Sequence, residues 1–484
     1  MELLVPKSIR NAVSASFVGW AHNYLFSHFF VRLRRGMLTV VIDDAAYPSH
    51  STSTPSSLVY GNINSPASEC ATLTINNLYR FMTKVLFGGD VGFAESFILG
   101  DIQVSDMTIL LKILINNRYN LDGLDSKWAF LKHGVDRVYH MLRNNSIEGS
   151  KENIKAHYDL SNEMFQLFLD PTMSYSCAIF QSPDEPLEDA QMRKIRTLID
   201  KANLSPNHHL LEIGSGWGAL AMEAVRRTGC RVTTISLSIE QVNLAKKRIE
   251  EAGLSSRIDV LLIDYRNLTD KYDRIISCEM LEAVGHEHYG EYFSSLERLL
   301  KPDGIVVIQY ISFNDQRYEE YRKGCDFIQK YIFPGGLCPS INSVINAATT
   351  HSQLMLEHLE NFAPHYAITL DRWKQTFLNN RARILASGFD EQFIRMFVYY
   401  FCYCEAAFET RTINLLQVVF SRPCNPNLPT YFAASPAIVH PAASSSDSSK
   451  MCGDYCESIG DSRSSPSSPQ MSDIANQAVP IQQE

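Results

Sequence analysis

The stretch His209-Leu210-Leu211-Glu212-Ile213-Gly214-Ser215-Gly216-Trp217-Gly218 joins a short apolar run to a glycine-rich turn. The apolar run His209 to Ile213 predicts a buried strand, and Ala219 to Thr228 predicts the helix that follows the turn. Glycines at 214, 216 and 218 allow a tight turn and let the backbone approach a ligand closely. A ligand site at the carboxyl end of a parallel strand is typical of doubly wound α/β folds.

The same alternation of strands and helices continues downstream. Arg231 to Ile235 predicts a β-branched strand, and Ser238 to Ala252 predicts a helix that a serine opens. Three further runs predict buried strands: Ile258 to Ile263, Arg274 to Ser277 and Gly304 to Tyr310. Alternation of this kind predicts an α/β fold with a mostly parallel, Rossmann-like sheet covered by helices on both faces.

The residues around the turn favour S-adenosylmethionine over a dinucleotide. The acid Glu212 precedes the glycines, where it can order the charged amino-acid end of the ligand, and the glycine spacing is G-x-G-x-G. Asp264 and Tyr265 follow the third strand, where a carboxylate can accept a hydrogen bond from the adenine amine. The second strand ends in Ser236 without the usual acid, and Gln241 is the candidate replacement. We therefore expect a class I S-adenosylmethionine-dependent methyltransferase domain whose cofactor-binding residues include Glu212, Gly214, Gly216, Gly218, Ser236, Gln241, Asp264 and Tyr265.

Three regions are predicted along the 484 residues. Residues 1–145 form a smaller, mainly helical domain, with helical spacing in Leu73 to Leu86 and Asp106 to Ile115 and an exposed loop from Ser49 to Ser68. Residues 146–423 form the methyltransferase domain. Residues 424–484 form a Ser-rich tail that we expect to be disordered, because it has few large apolar side chains.

Composition and charge limit the class of protein. The net charge of −9 argues against a nucleic-acid partner, and eleven cysteines without metal-ligand spacing argue for reduced thiols in a cytoplasmic compartment and for no metal site. The apolar stretch Phe17 to Leu33 is too polar to span a membrane. It is either a buried helix of the first domain or an interfacial membrane helix, and the first reading is the commoner one.

Several separate motifs resemble the cyclopropane-fatty-acyl-phospholipid synthase family, particularly its plant-like members within the mycolic acid cyclopropane synthase superfamily, across roughly residues 70 to 423. Besides the glycine turn, they are His157-Tyr158-Asp159-Leu160-Ser161-Asn162, Met173-Ser174-Tyr175-Ser176-Cys177-Ala178, Asp264-Tyr265-Arg266, Glu279-Met280-Leu281-Glu282-Ala283-Val284-Gly285, Lys330-Tyr331-Ile332-Phe333-Pro334-Gly335-Gly336 and Gln417-Val418-Val419-Phe420-Ser421-Arg422. The segment Gly92 to Asp101 also resembles the smaller domain of that family, which engages lipid.

The resemblance implies an activity and a catalytic set. The activity is transfer of a methylene group from S-adenosylmethionine to the cis double bond of an unsaturated phospholipid acyl chain. The base is a bicarbonate ion, and its ligands carry over to Cys177, Glu282, Gln309, Tyr366 and the backbone of Ile311. Gln309 departs from the bacterial pattern, which has His, so the proton relay is in doubt there. Cys404 matches a cysteine often designated as the active-site residue, and we expect it to line the site without acting as a nucleophile.

Other segments are predicted to surround the same site. Tyr175 and Ser176 are predicted to touch the carboxylate end of the cofactor, and the segment around His157 and Tyr158 to fold over it. The dense aromatics of the last third either face an acyl channel or pack at helical spacing; they are Tyr399, Tyr400, Phe401, Tyr403 and Phe408.

Three alternatives remain open at the level of sequence. The first is an enzyme that leaves a methyl or methylene branch without closing a ring. The second is an N-methyltransferase for a soluble amine, which does not need the bicarbonate set. The third is a lipid-binding protein that has lost turnover. The expected partner is an unsaturated phospholipid at a membrane surface, with peripheral membrane association from the cytoplasm and a possible homodimer.

Overall fold

The computed structural model describes residues 25–43, 56–121 and 162–428. Within these ranges the chain forms two sheets. One has seven strands and carries the glycine-rich turn, and the other has four strands and lies in the N-terminal region. The predicted boundary between residues 145 and 146 and the tail from residue 429 lie outside the described residues, and so do His157 and Tyr158.

The larger sheet has the Rossmann-like arrangement that the sequence predicts. Its strand order is β10-β11-β9-β8-β5-β6-β7, and the five strands from β9 to β7 in that order are parallel. The last of the described strands, β11, runs antiparallel between β9 and β10. The bounds are β5 His209–Ile213, β6 Arg231–Ser236, β7 Ile258–Leu262, β8 Tyr272–Cys278, β9 Leu300–Phe313, β10 Met355–Asn361 and β11 Ile413–Ser421.

Apolar runs form the interior of this sheet because both of its faces are covered. Strands β8 and β9 and the last strand are buried along most of their length, as near-continuous Val, Ile and Leu runs require. The helices in chain order are α4 Asn162–Gln166, α5 Leu187–Lys201, α6 Ala219–Thr228, α7 Ile239–Glu251, α8 Tyr289–Leu299, α9 Asp315–Tyr321, α10 Ile341–His351, α11 Ala363–Asn379, α12 Arg381–Ala386 and α13 Glu391–Glu409. Two apolar clusters, one on each face, connect these helices to the strands.

The N-terminal region combines a four-stranded sheet with helices. The strand order is β2-β1-β3-β4, with bounds β1 Met37–Ile42, β2 Ser56–Gly61, β3 Cys70–Ile75 and β4 Ile102–Val104. Its helices are α1 Leu78–Ile98, α2 Met107–Asn116 and α3 Arg118–Leu121. Asn77 caps the first helix and Asp106 the second, each by accepting a backbone N–H three residues on.

Two local predictions for this region are wrong. Leu73 to Ile75 belong to strand β3, although the sequence predicts helix from Leu73, because alternate side chains of this run pack into the core of the small sheet. Ser56 to Gly61 form a strand within the predicted exposed loop, since they pair antiparallel with β1 at the edge of the sheet. An edge strand has one partner only, so its sequence can stay as polar as a loop.

The described part of the N-terminal aromatic stretch buries one side and exposes the other. Residues 25–32 form short helical turns, and the side chains of Phe26, Phe30 and Leu33 pack with Leu38 and Leu73. This part therefore follows the buried reading; residues 17–24 lie outside the described residues. Among the helices that the structure describes, none combines the length and the apolar character that crossing a bilayer requires.

Candidate active site

A cavity of about 760 Å³ opens at the carboxyl ends of the parallel strands. The glycine-rich turn and the ends of β6, β7 and β8 form one side of it. The C-terminal helices form another side, and Leu114 and Ile115 from the N-terminal helix α2 close it at one end. The cavity lies where α/β sheets bind their ligands, and it also reaches the smaller domain.

The glycine-rich turn has the backbone that the sequence predicts. Gly214, Gly216 and Gly218 all have positive φ, at 96°, 47° and 87°. A Cβ added at Gly216 would meet no protein atom within 4 Å, so the space beside this residue belongs to the cavity. Gly214 and Gly216 line the cavity, whereas Gly218 lies behind them at the start of helix α6. Gly218 therefore shapes the turn without facing the cavity.

Glu212 lies at the bottom of the cavity with an unsatisfied oxygen. The residue is buried, and its Oε2 has no hydrogen-bond partner among the described residues. Burial raises the pKa of this carboxyl to about 8, although the charge of Lys194 acts in the opposite direction. Lys194 donates to the hydroxyl of Ser176 over 2.5 Å, and the hydroxyl of Tyr175 lies 3.0 Å from that of Tyr400. A cationic ligand group beside the unpaired oxygen would lower this pKa again and favour the ionised form of Glu212.

The end of strand β6 carries a hydroxyl and an amide where an acid is usual. Ser236 donates to Oε1 of Gln241 over 2.9 Å, and both residues line the cavity. Because that oxygen is already used, the amide nitrogen is what Gln241 can offer a ligand. The amide nitrogen donates, so it suits a hydroxyl oxygen of a ribose.

Asp264 and Tyr265 form the next part of the wall. Arg266 donates to both oxygens of Asp264, through Nε over 2.9 Å and through a terminal nitrogen over 2.8 Å. Tyr265 is buried with its ring 5.4 Å from that of Tyr292 in an edge-to-face arrangement. The bidentate pair holds the Asp264 carboxylate in one orientation, and its remaining lone pairs can still accept from an adenine amine.

Two further carboxylates, those of Glu279 and Glu282, lie just after the end of strand β8. Glu279 is the residue that the sequence reasoning missed as a site residue. Its carboxylate accepts three hydrogen bonds: from the backbone N–H of Cys177 over 2.9 Å, from Nε2 of Gln309 over 2.7 Å and from the hydroxyl of Tyr366 over 2.6 Å. Its backbone has φ of 51°, which is unusual for a residue with a side chain. The signal was its position, since a carboxylate directly after a buried strand lies at the ligand edge of the sheet.

Glu282 has far fewer donors. Its Oε1 accepts from the backbone N–H of Ile311 over 2.5 Å, and its Oε2 has no hydrogen-bond partner among the described residues. Burial, and then the charge of Glu279, raises the pKa of Glu282 to about 8. Burial also raises the pKa of Glu279, but its three donors act in the opposite direction. The environments thus separate the two carboxyls, and Glu282 is the one that holds a proton near neutral pH.

The structure brings together the donors that were predicted to bind an anion, but they contact carboxylate side chains of the protein itself. Cys177, Gln309 and Tyr366 donate to Glu279, and Ile311 donates to Glu282. Cys177 and Gln309 are fully buried behind Glu279 and do not line the cavity. The donors that the resemblance assigns to bicarbonate are therefore already used by carboxylates of the chain, and a bicarbonate ion does not fit this donor set.

Cys404 lines the cavity, as expected. It lies on helix α13, is partly buried, and burial raises the pKa of its thiol. The pKa of Cys177 is also raised, first by burial and then by the charge of Glu279. Neither environment favours a thiolate, so neither cysteine is prepared as a nucleophile.

Aromatic side chains form the wall opposite the sheet. Tyr366 stacks on Phe408 with ring centroids 4.3 Å apart and an angle of 16° between the planes. Tyr400, Tyr403 and Phe408 line the cavity, whereas Tyr399 and Phe401 pack in the core. Three of these aromatics therefore face the cavity and two pack in the core, and whether the cavity holds an acyl chain stays a prediction.

Comparison with known proteins defines the class and then the family. The solved structure of the cyclopropane synthase MmaA2 from Mycobacterium tuberculosis superposes on this chain with a TM-score of 0.53 and 31% sequence identity. The superposed part is 56% of this chain and 98% of the MmaA2 chain. A coclaurine N-methyltransferase is 17% identical with a TM-score of 0.52 over 69% of this chain and 99% of its own, which shows the fold alone. Fold and site thus define a class I S-adenosylmethionine-dependent methyltransferase fold.

The family follows from the sequence matches. The family model described as mycolic acid cyclopropane synthetase matches residues 145–418, and the chain belongs to that family. A tuberculostearic acid methyltransferase of Mycobacterium tuberculosis is 38% identical over 336 residues, 68% of this chain and 78% of the relative. A cyclopropane-fatty-acyl-phospholipid synthase of Escherichia coli is 40% identical over 270 residues, 55% of this chain and 67% of the relative. The resemblance stated from the motifs is confirmed.

Proposed function

We propose that this protein transfers a methylene group from S-adenosylmethionine to the cis double bond of an unsaturated phospholipid acyl chain and forms a cyclopropane fatty acid. One observation carries the proposal: a single cavity joins the strand-end residues suited to the methyl donor to an aromatic wall and two buried carboxyls. Relatives named as cyclopropane-fatty-acyl-phospholipid synthase and tuberculostearic acid methyltransferase support a lipid substrate.

The residues around the glycine-rich turn suit S-adenosylmethionine. Glu212 offers an unpaired carboxylate oxygen for the ammonium group, Gln241 offers an amide nitrogen for the ribose, and Asp264 offers lone pairs for the adenine amine. One relative of solved structure, a mycolic acid cyclopropane synthase 33% identical to this chain, is described as a complex with SAH. SAH is S-adenosylhomocysteine, which remains when S-adenosylmethionine has given up its methyl group. When bound, S-adenosylmethionine supplies an electrophilic methyl group.

The opposite wall suits an alkene and the cation that alkylation produces. An alkene is a weak nucleophile, so its alkylation needs a site from which water is excluded. Leu370, Phe333 and Phe408 provide such a surface in the cavity. Tyr366 can present a π face toward a developing cation, because its hydroxyl is held by Glu279. Cys404 takes part as a neutral wall residue in this proposal.

The acyl chain is proposed to enter from the smaller domain at a membrane surface. Leu114, Ile115 and Arg118 of that domain line the cavity, and Phe87 and Tyr119 are exposed on the same domain, 64% and 77% respectively. Exposed aromatics with a cation nearby suit the headgroup region of a bilayer. A Phe87→Ser and Tyr119→Ser double variant should sediment less with anionic phospholipid vesicles at unchanged SAH affinity, and unchanged vesicle binding would contradict this entry route.

The test of function uses purified protein, methyl-labelled S-adenosylmethionine and vesicles of monounsaturated phospholipid. Released fatty acids are analysed by mass spectrometry and proton NMR. Saturated products heavier by one CH2, with upfield ring protons, are the expected result. Exomethylene or methyl-branch signals instead would keep the lipid substrate and replace the ring, a candidate that the tuberculostearic acid methyltransferase relative favours. If SAH binds but no label enters lipid, the alternative of an N-methyltransferase for a soluble amine would be favoured. The predicted homodimer and cytoplasmic location stay predictions.

A further inference from the structure

Three of the four donors expected to bind an anion in this site converge on one buried side chain, Glu279, and the fourth, the backbone N–H of Ile311, contacts Glu282. Glu279 faces the cavity, while Cys177 and Gln309 lie behind it and Tyr366 beside it. We propose that the carboxylate of Glu279, and not a bicarbonate ion, is the base that takes the proton when the ring closes. The proposal rests on the proposed function, because it names the base of that same reaction.

Three donors prepare Glu279 as an acceptor. Each of them contributes a hydrogen bond of 2.6 to 2.9 Å to a carboxylate oxygen. The backbone N–H of Cys177 and the amide nitrogen of Gln309 can only donate, so Oε1 of Glu279 accepts from both and cannot carry the proton of a neutral acid, while the hydroxyl of Tyr366 donates to Oε2. Hydrogen bonds to the charged form favour that form. The geometry therefore favours an ionised carboxylate inside an apolar cavity.

The orientation of Gln309 is set by a chain of amides that ends on a lysine. Lys201 donates to Oε1 of Gln417 over 2.7 Å, so the amide nitrogen of Gln417 is directed at Oε1 of Gln309, 2.8 Å away. The amide nitrogen of Gln309 is then directed at Glu279. A lysine ammonium has donors only, so it fixes the direction of the whole chain. Gln309 consequently donates to Glu279 and cannot accept from it.

The proton transfer balances with this base. The alkene π electrons form the bond to the methyl carbon as the sulfonium bond breaks, which leaves a neutral thioether and a cation on the second alkene carbon. The electron pair of one methyl C–H bond then forms the second ring bond, and its proton goes to Glu279, which becomes a neutral acid. Glu282 does not compete as a base near neutral pH, since it has one donor and retains its proton. The proton leaves Glu279 for solvent after the products have gone.

The first experiment measures lipid methylation by the wild-type protein in carbonate-free buffer and after addition of bicarbonate. The expected rates agree within about twofold, because the base belongs to the chain. A fall of about tenfold or more on bicarbonate removal would overturn the proposal. If lipid is not labelled in either buffer while SAH binds, the proposed function fails first. The two failures are thus distinguishable.

Two substitutions at Glu279 provide a matched pair. Glu279→Gln keeps the volume and removes the base, so turnover should fall about 100-fold at unchanged SAH affinity, with no rescue by bicarbonate because the space stays filled. Glu279→Gly opens the space between the three donors, and glycine suits the positive φ of this position. Bicarbonate should therefore restore at least part of the turnover of Glu279→Gly alone. Rescue of neither variant or of both would contradict the assignment.

A binding measurement completes the test without reference to turnover. The carbon-13 NMR line of labelled bicarbonate should broaden in the presence of Glu279→Gly protein saturated with SAH. It should stay sharp with the wild type and with Glu279→Gln. Broadening by the wild type, abolished by excess unlabelled bicarbonate, would show that the ion has a site of its own and would overturn the proposal.

Discussion

Cys404 tests whether a residue that lines the cavity also takes part in the chemistry. Burial raises the pKa of its thiol, and ring closure needs no covalent intermediate. We expect Cys404→Ala to keep turnover within about threefold of the wild type, since only wall packing changes. Turnover is measured with labelled S-adenosylmethionine at saturating lipid, and Cys404→Ser serves as the control for volume. A loss of about 100-fold in both variants at unchanged SAH affinity would assign the thiol a chemical role.

Glu212 makes ligand binding depend on pH. Its pKa is raised to about 8 in the cavity, so the carboxyl is protonated at pH 6 and must ionise to pair with the ammonium group of SAH. Binding therefore requires loss of a proton below pH 8, and the dissociation constant of SAH should rise about tenfold for each unit by which the pH falls from 8 to 6.

Calorimetric titrations of SAH at three pH values check this dependence. Glu212→Gln should bind SAH weakly and with a nearly constant dissociation constant across the same range, because no group has to ionise. A pH dependence that survives in Glu212→Gln would assign the titration to another group.

At the scale of elements, the turn between β5 and α6 predicts a difference between two similar glycines. Gly216 and Gly253 both have positive φ, and a Cβ at either meets no protein atom within 4 Å. Alanine at each position should cost about 1 kcal/mol of stability, because the strain is the same. Only Gly216→Ala should weaken SAH binding, by about tenfold, since its methyl group enters the cavity. Equal SAH affinity in the two variants would place the ligand elsewhere.

The elements that could be predicted are those whose pattern is set by their own neighbours in sequence. Strand β5 and helix α6 have the predicted bounds, and Ser238 caps helix α7 through the backbone of Gln241. Each carries its signal locally, in a buried apolar run or in a cap. Ser56 to Gly61 and Leu73 to Ile75 could not be predicted in this way, because pairing with strand β1 decides their structure.

The candidate site shows the same limit. The cavity-facing residues of the glycine-rich turn follow from spacing alone, and Glu282 follows from its place at a strand end. The role of Gln309 does not follow from spacing, because its amide is oriented by Gln417, which is 108 residues away in sequence. Gln417 is oriented in turn by Lys201, which is 216 residues away from it. Resemblance pointed to Cys177, Gln309, Ile311 and Tyr366, while only the structure shows that three of them donate to Glu279 and that Ile311 donates to Glu282.

At the scale of the whole molecule, the small domain shares a core with the C-terminal helices. Ala94, Met107 and Leu111 pack in the same apolar cluster as Tyr366 and Phe401. Polar contacts reinforce this packing: Thr108 donates to the buried carboxylate of Glu405, and Glu95 accepts from Lys330 and from the hydroxyl of Tyr331. The end wall of the cavity is therefore held by the same contacts that hold the two sheets together.

Arg395 is the residue through which this joint can be tested. Its guanidinium donates to the carbonyl of Phe97 over 2.6 Å and to that of Ile102 over 2.9 Å, and lies 4.4 Å from the centre of the Phe97 ring. Arg395→Met keeps the apolar stem and removes two charged hydrogen bonds, while the carbonyl of Phe97 keeps the N–H of Gly100 as a partner. The free energy of unfolding in urea should therefore fall by about 2 kcal/mol. Arg381→Met is the matched control, because Arg381 pairs with Glu391 at an exposed position and should change stability little.

The same substitution separates the two ends of the cavity. The residues suited to S-adenosylmethionine lie on the seven-stranded sheet, whereas Leu114 and Ile115 come from the domain that Arg395 anchors. The assay is run at a temperature at which the variant is still folded. There we expect Arg395→Met to lower the rate of lipid methylation about tenfold, while SAH affinity stays within about twofold of the wild type. Equal losses of methylation and of SAH affinity would mean that the joint supports the whole fold, and the small domain would then have no separate part in positioning the acyl chain.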